Sequence, residues 1–434
     1  MELNIPQADS PRIVVVGGGF AGVSFIHFVR HSACQIVLLD PNDFHQFHPL
    51  LYQVATAGLE PTAIAFPIRR MVRGFKNVLY RQAKVLRVDS GAKTVETDCG
   101  SLSYDYLVLA CGTDTNYYGL SNIETRGYPL KSVGEAMALR NKILLNMELA
   151  TKSPLSERSV CMSVAIVGGG ATGVELAGAL AELRNTIFVR DYPELSMEDM
   201  KIYLINSSDR LLQNFSVKSS AETLRELTKR GVEVVLGARV KDFTGSQVIY
   251  NDGQSVQCGT MVWVSGVVAN VVQGVESTAR AARVGVDECS RVVGADGLFC
   301  IGDMALMVGD KGFEGGHAQV AQVAIQQGRH LGRNLSRELR NKASWQPFSY
   351  YDKGSMATIG RSSAVAEIKG INIHGFVAWV AWLMLHLLYV VGAHNRLTVL
   401  TDWFWGLILY DSPFRSMIVA KTKQEETTIL TKKE

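Results

Sequence analysis

Two stretches of this 434-residue chain carry the same glycine spacing between an apolar run and a helical pattern. Arg12–Gly22 reads RIVVVGGGFAG, with the β-branched-rich strand Ile13–Val16 running into Gly17, Gly19 and Gly22 in a G-x-G-x-x-G frame. Val164–Ala177 reads VAIVGGGATGVELA, and Gly168, Gly170 and Gly173 repeat the frame about 150 residues later. Each is a strand, a tight turn and a helix N-terminus, whose N–H groups and positive dipole end suit a pyrophosphate. Asp40 closes a second apolar strand, Ile36–Leu39, where a carboxylate accepts both hydroxyls of an adenosine ribose. At the matching place in the second copy, Lys201–Ile205 ends in Asn206-Ser207-Ser208. An amide still bonds ribose hydroxyls but repels a 2′-phosphate less, so preference for NADH over NADPH is the weaker expectation.

Other residues point to the same chemistry. Leu298–Met304, LFCIGDM, is a strand ending in Gly302-Asp303, which places a carboxylate on a ribityl hydroxyl. Behind it Gln319, Gln322 and Gln326 fall at i, i+3 and i+7 of a helix expected over Ala318–Gln327. Their neighbours Ala318, Ala321, Val323, Ala324 and Ile325 are small or apolar, so the amide face is expected to line a cavity. Met261–Val267, MVWVSGV, reads as one buried strand into a small-residue turn, suited to a nicotinamide. The loop PNDFHQFHPLLYQVATAGLEP is either a packed plug or a flap laying Pro49 and Leu50 on a flat cofactor. His45 and His48 lack a third ligand at sensible spacing, so no metal is expected. Arg69, Arg70, Arg73 and Lys76 read as the solvated face of a short helix, with phosphate contact as the alternative.

These groups need two nucleotide-binding sheets to hold them, and the chain is long enough for two or three domains. Ala83–Val88 alternates like a strand, with Val95–Leu102 as its hairpin partner, and Tyr106–Ala110 is a further buried strand. The fold class is α/β, with two Rossmann-like dinucleotide-binding domains and a C-terminal amphipathic membrane-anchoring region. The expected divisions are 1–120 and 291–370 for the first domain, 121–290 for the inserted second, and 371–434 for the tail. A net charge of +3 without a basic stripe argues against a nucleic-acid partner. Seven scattered cysteines form no C-x-x-C pair, which fits a reducing compartment, and the N-terminus shows no leader pattern. Phe376–Ala393 is eighteen residues with no acidic residue, Lys or Arg. Trp403–Tyr410 adds a second aromatic run across the link GAHNRLTVL, with Arg415, Lys421 and Lys423 beyond. The pair is expected to lie in one leaflet and not to cross it.

With GGGFAG, FHPLLYQVATAG, GGGATGVELAGAL, IGDM, AQVAIQQG, YDKGSMATIGR and the tryptophan-rich tail, the whole chain resembles the type II NADH:quinone oxidoreductases. The resemblance implies bound non-covalent FAD, NADH as donor, a membrane quinone as acceptor and no proton pumping. It also implies a homodimer held peripherally on the cytoplasmic face of a bacterial inner membrane. For FAD it implies Gly17, Gly19, Phe20, Ala21, Gly22, Asp40, Pro49, Leu50, Val85, Ala110, Gly112, Gly302, Asp303, Ala321 and Lys353. For NADH it implies Gly168, Gly170, Thr172, Gly173, Glu175, Asn206, Ser265 and Gly266. Gln319, Gln322, Gln326 and Met356 are the implied quinone contacts. Glu175, Gln322 and Lys353 are the implied catalytic groups, Glu175 in proton transfer and Lys353 in stabilising the reduced cofactor. Cys111 and Asn206 depart from the family pattern. Sulfide:quinone oxidoreductases share the double loop but need paired cysteines, and disulfide reductases need a redox pair. A flavin-binding interaction protein of the apoptosis-inducing-factor type is the non-enzymatic alternative.

Overall fold

The computed structural model describes residues 3–278, 280–341, 344–409 and 414–417. The first glycine loop sits in a parallel sheet ordered Leu298–Cys300, Tyr106–Leu109, Arg12–Val16, Gln35–Asp40, Val78–Gln82. Val14 lies between Val37 and Leu107 in register, and every residue from Ile13 to Val16 is buried. That explains the unbroken apolar run: a parallel strand covered on both faces has no solvent side. The second loop sits in a parallel sheet ordered Val232–Val235, Ile202–Ile205, Val164–Val167, Thr260–Trp263. Helix Val133–Lys152, opened by a capping box of Ser132 and Glu135, packs on Leu51–Ala55 and Leu155–Met162.

Three expected elements are drawn differently. The expected hairpin partner divides into Thr94–Thr97, which pairs with Val85–Asp89, and Gly100–Ser103, which pairs back on Thr94–Thr97 from a turn at Gly100, whose φ of +125° favours glycine. The run MVWVSGV is Thr260–Trp263 in the parallel sheet and then, past a turn with Gly266 at φ +97°, Val267–Ala269. That second piece pairs antiparallel with Thr113–Thr115. The glutamine helix runs Ala321–Glu338, so Gln319 lies ahead of it. Val320 is the extended N-cap whose carbonyl accepts from Val323 and Ala324, while the Gln319 amide donates to the Asp303 carbonyl at 2.9 Å. Only Gln322 and Gln326 share a helical face.

Beyond these, Ser355–Thr358, Ala364–Ile368 and Ile371–Gly375 form an antiparallel sheet. The backbone of Ile359 and Gly360 crosses the second loop's helix at Gly178, where a Cβ would come within 2.6 Å of it. The tail is a helix pair, Phe376–Tyr389 and Ala393–Leu409. The expected polar link is therefore mostly the first turns of the second helix. Asn395 turns inward and donates to the carbonyls of Thr62, Ala63 and Ala65, which a solvated link would not do. Trp382 is fully buried, whereas Phe376, Val377, Met384 and Leu388 are each more than 60% exposed. Among the described residues no helix is long and apolar enough to cross a membrane. Tyr410, Lys421 and Lys423 lie outside the described residues.

Candidate active site

The two glycine loops have the same steric construction. A Cβ on Gly17 would lie 2.2 Å from the Ala110 carbonyl oxygen, and one on Gly22 would lie 2.0 Å from that of Gly17. In the second loop Gly168 meets the Val264 carbonyl at 2.6 Å and Gly173 meets that of Gly168 at 1.9 Å. Gly19 and Gly170 are the helix N-caps, neither with a side-chain cap, and nothing lies within 4 Å of a Cβ on either. Each loop thus presents uncapped N–H groups to open space, which fits a pyrophosphate. Gly112, at φ +66°, is open in the same way. The first cradle therefore fits the pyrophosphate of a dinucleotide such as FAD.

The acid and the amide at the strand ends do the same local work. Asp40 Oδ2 accepts the Gly18 amide at 2.6 Å and Oδ1 the Asn42 amide at 2.8 Å. Asn206 Oδ1 accepts the Gly169 amide at 3.0 Å, and its Nδ2 donates to the Arg210 carbonyl. Burial pushes the Asp40 carboxyl up from its ordinary value, against the pull of those amides.

Around the first loop, Phe20 meets His45, Phe47 and His48 ring to ring. His45 Nδ1 lies 2.9 Å from the Gly18 carbonyl, and burial lowers the His48 pKa to about 3. Both are packing groups. Phe47, Leu50, Leu51 and Tyr52 are buried, so the aromatic loop is a packed plug, with Pro49 only partly exposed beside it. Ala21 Cβ stands 3.0 Å from a Cβ on Gly302, where the LFCIGDM turn closes over the loop's helix. Burial raises the Asp303 pKa, with Lys131 and Arg283 opposing it. Those two cations were not marked by any local pattern. Gln327 was also missed: it is 1% exposed and its Oε1 accepts the Gly302 amide at 2.8 Å. Its one sequence signal is the adjacent Gly328, where a Cβ would strike the Ala21 carbonyl at 2.2 Å.

In the second half, Thr172 is exposed, and Ser265 and Gly266 form the turn after Trp263. The Tyr118 hydroxyl lies 2.1 Å from a Cβ on Gly266, so a tyrosine covers the turn. Val85 opens the strand meander and packs, partly buried, against the core that holds Val88 and Val95. Ala110 is buried at the end of its strand, and Ala321 is the first residue of the glutamine helix.

Gln322 and Gln326 are bonded at both ends of their amides. Gln322 donates to the Gly354 carbonyl at 3.1 Å and accepts from the Lys353 amide; Gln326 does the same with Tyr351. Lys353 Nζ lies 3.0 Å from the Tyr389 hydroxyl on the tail. Four residues past Gly354, the Thr358 amide donates to Glu175 Oε1 at 3.3 Å. The strand Ser355–Thr358, which carries Met356, is thus held at one end by Gln322 and at the other by Glu175. Burial raises the Glu175 carboxyl to about 8, and the Thr358 amide and Trp382 indole offset only part of that. Tyr52 bonds Thr358 Oγ1 at 3.0 Å, and Gln53 bonds Tyr52 and accepts from the Trp403 indole.

Beside these residues opens a cleft of about 170 Å³ between the second loop's helix and the tail pair. Tyr52, Thr358, Trp379, Trp382, Trp403 and Leu407 line it. So does Glu182, where the helix widens into a π-turn over Leu183–Phe188. None of the four quinone contacts expected from sequence lines this cleft.

A family model for pyridine nucleotide-disulphide oxidoreductases matches residues 11–328, and one for the NDH2 C-terminal domain matches residues 352–408. The type II NADH:quinone oxidoreductase NdhA of Mycobacterium tuberculosis is 33% identical over 408 residues, covering 90% of this chain and 86% of its own. The chain belongs to the type II NADH:quinone oxidoreductases. The Ndh enzyme of the same organism is 32% identical over 92% of this chain and 89% of its own. As a member of this family the protein is an FAD-dependent enzyme that oxidises NADH and reduces quinone. The NDH2 of Plasmodium falciparum solved with NADH superposes with a TM-score of 0.87 at 20% identity, over 94% of this chain and 100% of that one. The sulfide:quinone oxidoreductase of Aquifex aeolicus reaches 0.68 at 16% identity, over 97% and 95%, a likeness of fold. All seven cysteines here are free.

Proposed function

We propose that FAD lies along the first glycine loop, NADH along the second, and the quinone head against the strand between Gln322 and Glu175. Bound FAD supplies the two-electron chemistry between donor and acceptor. Gly17, Gly19 and Gly22 bind its pyrophosphate, Asp40 its adenosine ribose and Asp303 its ribityl chain. Gly168, Gly170 and Gly173 bind that of NADH, with Asn206 at the ribose and Ser265-Gly266 near the nicotinamide. Gln322 fixes the wall through Gly354 and has a second amide hydrogen for a quinone carbonyl. Glu175, protonated at neutral pH by burial, holds a proton for the reduced quinone.

The observation that carries this reading is the pinned strand beside an apolar cleft that opens next to the exposed tail face. A long apolar quinone tail fits that opening. The exposed tail residues support a peripheral attachment to one membrane face, on the side where NADH is available, without proton pumping. They also support a homodimer through the tail region. The cleft is tested by Leu407→Trp. Turnover with a long-tailed quinone should fall several-fold while NADH-dependent ferricyanide reduction is kept, and equal turnover with the quinone would contradict the route.

A further inference from the structure

The short helix Ile68–Val72 has a charged face that nothing in the catalytic site uses. Ile68 and Val72, one turn apart, are buried, so Arg69, Arg70 and the following Arg73 project outward and are exposed. Among the described residues none of the three makes an ion pair. Two of the guanidinium groups are laid over rings, Arg69 over Tyr80 at 5.0 Å and Arg70 over Phe66 at 5.5 Å. Asp40 and Asp43 share the Tyr80 neighbourhood with Arg69.

This face borders the tail. The Phe66 ring that carries Arg70 lies 2.4 Å from a Cβ on Gly392, in the turn between the two tail helices. Asn395 fastens the second tail helix to the carbonyls of Thr62, Ala63 and Ala65, just ahead of the arginines in the chain. In the same turn region the exposed Arg396 donates to the Val390 and Leu388 carbonyls, while Leu388 and Leu397 are 66% and 59% exposed. The exposed apolar side chains of the tail and the unpaired Arg70 guanidinium thus meet at one edge, with Arg69 and Arg73 on the same short helical face.

We propose that Arg69, Arg70 and Arg73 bind the phosphates of anionic lipid headgroups when the tail's apolar face enters the bilayer. The proposal rests on the peripheral attachment argued above and adds the lipid chemistry and a contact outside the tail. Guanidinium groups pair with phosphate oxygens in a fork and keep their charge at any working pH. An apolar face alone gives no preference among headgroups, whereas a basic edge does, at about fivefold per arginine near the surface, roughly 1 kcal/mol each.

The test is sedimentation of the full-length holoenzyme with vesicles of pure phosphatidylcholine and with vesicles containing phosphatidylglycerol. Wild type should bind both, and the anionic vesicles at least about tenfold more tightly, with that excess lost as salt shortens electrostatic reach from about 30 Å to about 3 Å. The triple variant Arg69→Gln, Arg70→Gln, Arg73→Gln should lose the excess and keep wild-type binding to neutral vesicles. Its flavin content and NADH-dependent ferricyanide reduction should stay at wild-type levels. The triple lysine variant should keep most of the excess, and the double variant Arg329→Gln, Arg333→Gln, which flanks Phe28, should keep all of it. Equal wild-type binding to both vesicles, or an excess that survives in the triple glutamine variant, would overturn the proposal. An equal loss in the Arg329/Arg333 variant would overturn it too, by making net charge and not this edge responsible. If the glutamine variant does not fold, the salt dependence of the wild-type excess decides. Failure of wild type to bind either vesicle would instead contradict the peripheral attachment itself.

Discussion

Asn206 Oδ1 accepts the Gly169 amide at 3.0 Å, in the same relationship that Asp40 Oδ2 has to Gly18 at 2.6 Å. A strand-end side chain therefore ties down the middle glycine of each loop before any ribose arrives. The difference between them is charge. Asn206→Asp keeps the tie and adds a carboxylate where a 2′-phosphate would sit, so it should raise the NADH-over-NADPH ratio of kcat/KM by at least about tenfold, roughly 1.4 kcal/mol. Steady-state kinetics with both nucleotides checks this. A wild-type enzyme that already prefers NADPH would remove Asn206 from the ribose site.

Gly22→Ala should fail to hold FAD. The new methyl would lie 2.0 Å from the Gly17 carbonyl oxygen, a backbone atom, so the loop itself must shift. Overpacking of this kind costs about 1–3 kcal/mol. Flavin absorbance per mole of purified protein should drop, with Tm falling alongside. Acid precipitation of wild type should release the flavin to the supernatant, since the hold is non-covalent.

Gln327→Leu should weaken the same site from behind. It leaves the Gly302 amide without its 2.8 Å acceptor in a buried place, at a cost of about 1–3 kcal/mol. Lower flavin occupancy and a reduced Tm are expected, with Gln327→Glu restoring an acceptor and part of both.

Much of this site was readable because its determinants are local. Gly22 collides with the Gly17 carbonyl five residues back, and a buried parallel strand must be apolar throughout. What was not readable depends on distant partners. Gln319 stays off its helix because Asp303 claims its amide, and GAHNRLTVL looked like a solvated link because the carbonyls satisfying Asn395 are some 330 residues away. Gln322 and Gln326 share a face as their spacing said, yet that face is filled by the backbone of Tyr351–Gly354. Lys353 reaches a tail tyrosine by the same long-range closure.

The buried Glu175 makes stability depend on pH. Its folded pKa of about 8 lies above the ordinary 4.5, so its contribution to stability is fully present below about 4.5 and is lost as pH rises through about 8. Glu175→Gln does not titrate. Its Tm should therefore gain on wild type across that window, the difference levelling off above it. Quinone-dependent turnover of wild type should fall through the same range, while the glutamine variant is slow and shows no inflection near 8. A parallel pH profile in the two proteins would remove Glu175 as the proton donor.

On the proposed arrangement quinone reacts at the wall held by Gln322, separately from the nicotinamide site. Stopped-flow absorbance of the flavin in Gln322→Leu tests it, because the two half-reactions are read apart. A lost donor to developing charge costs about 2.7–4 kcal/mol in a closed site and roughly 1 kcal/mol where water substitutes, and the Thr358 end of this wall borders an open cleft. Reduction by NADH without quinone should match wild type, and reoxidation by quinone should slow at least about tenfold, roughly 1.4 kcal/mol. Slowed reduction with unchanged reoxidation would place Gln322 at the nicotinamide and contradict the account.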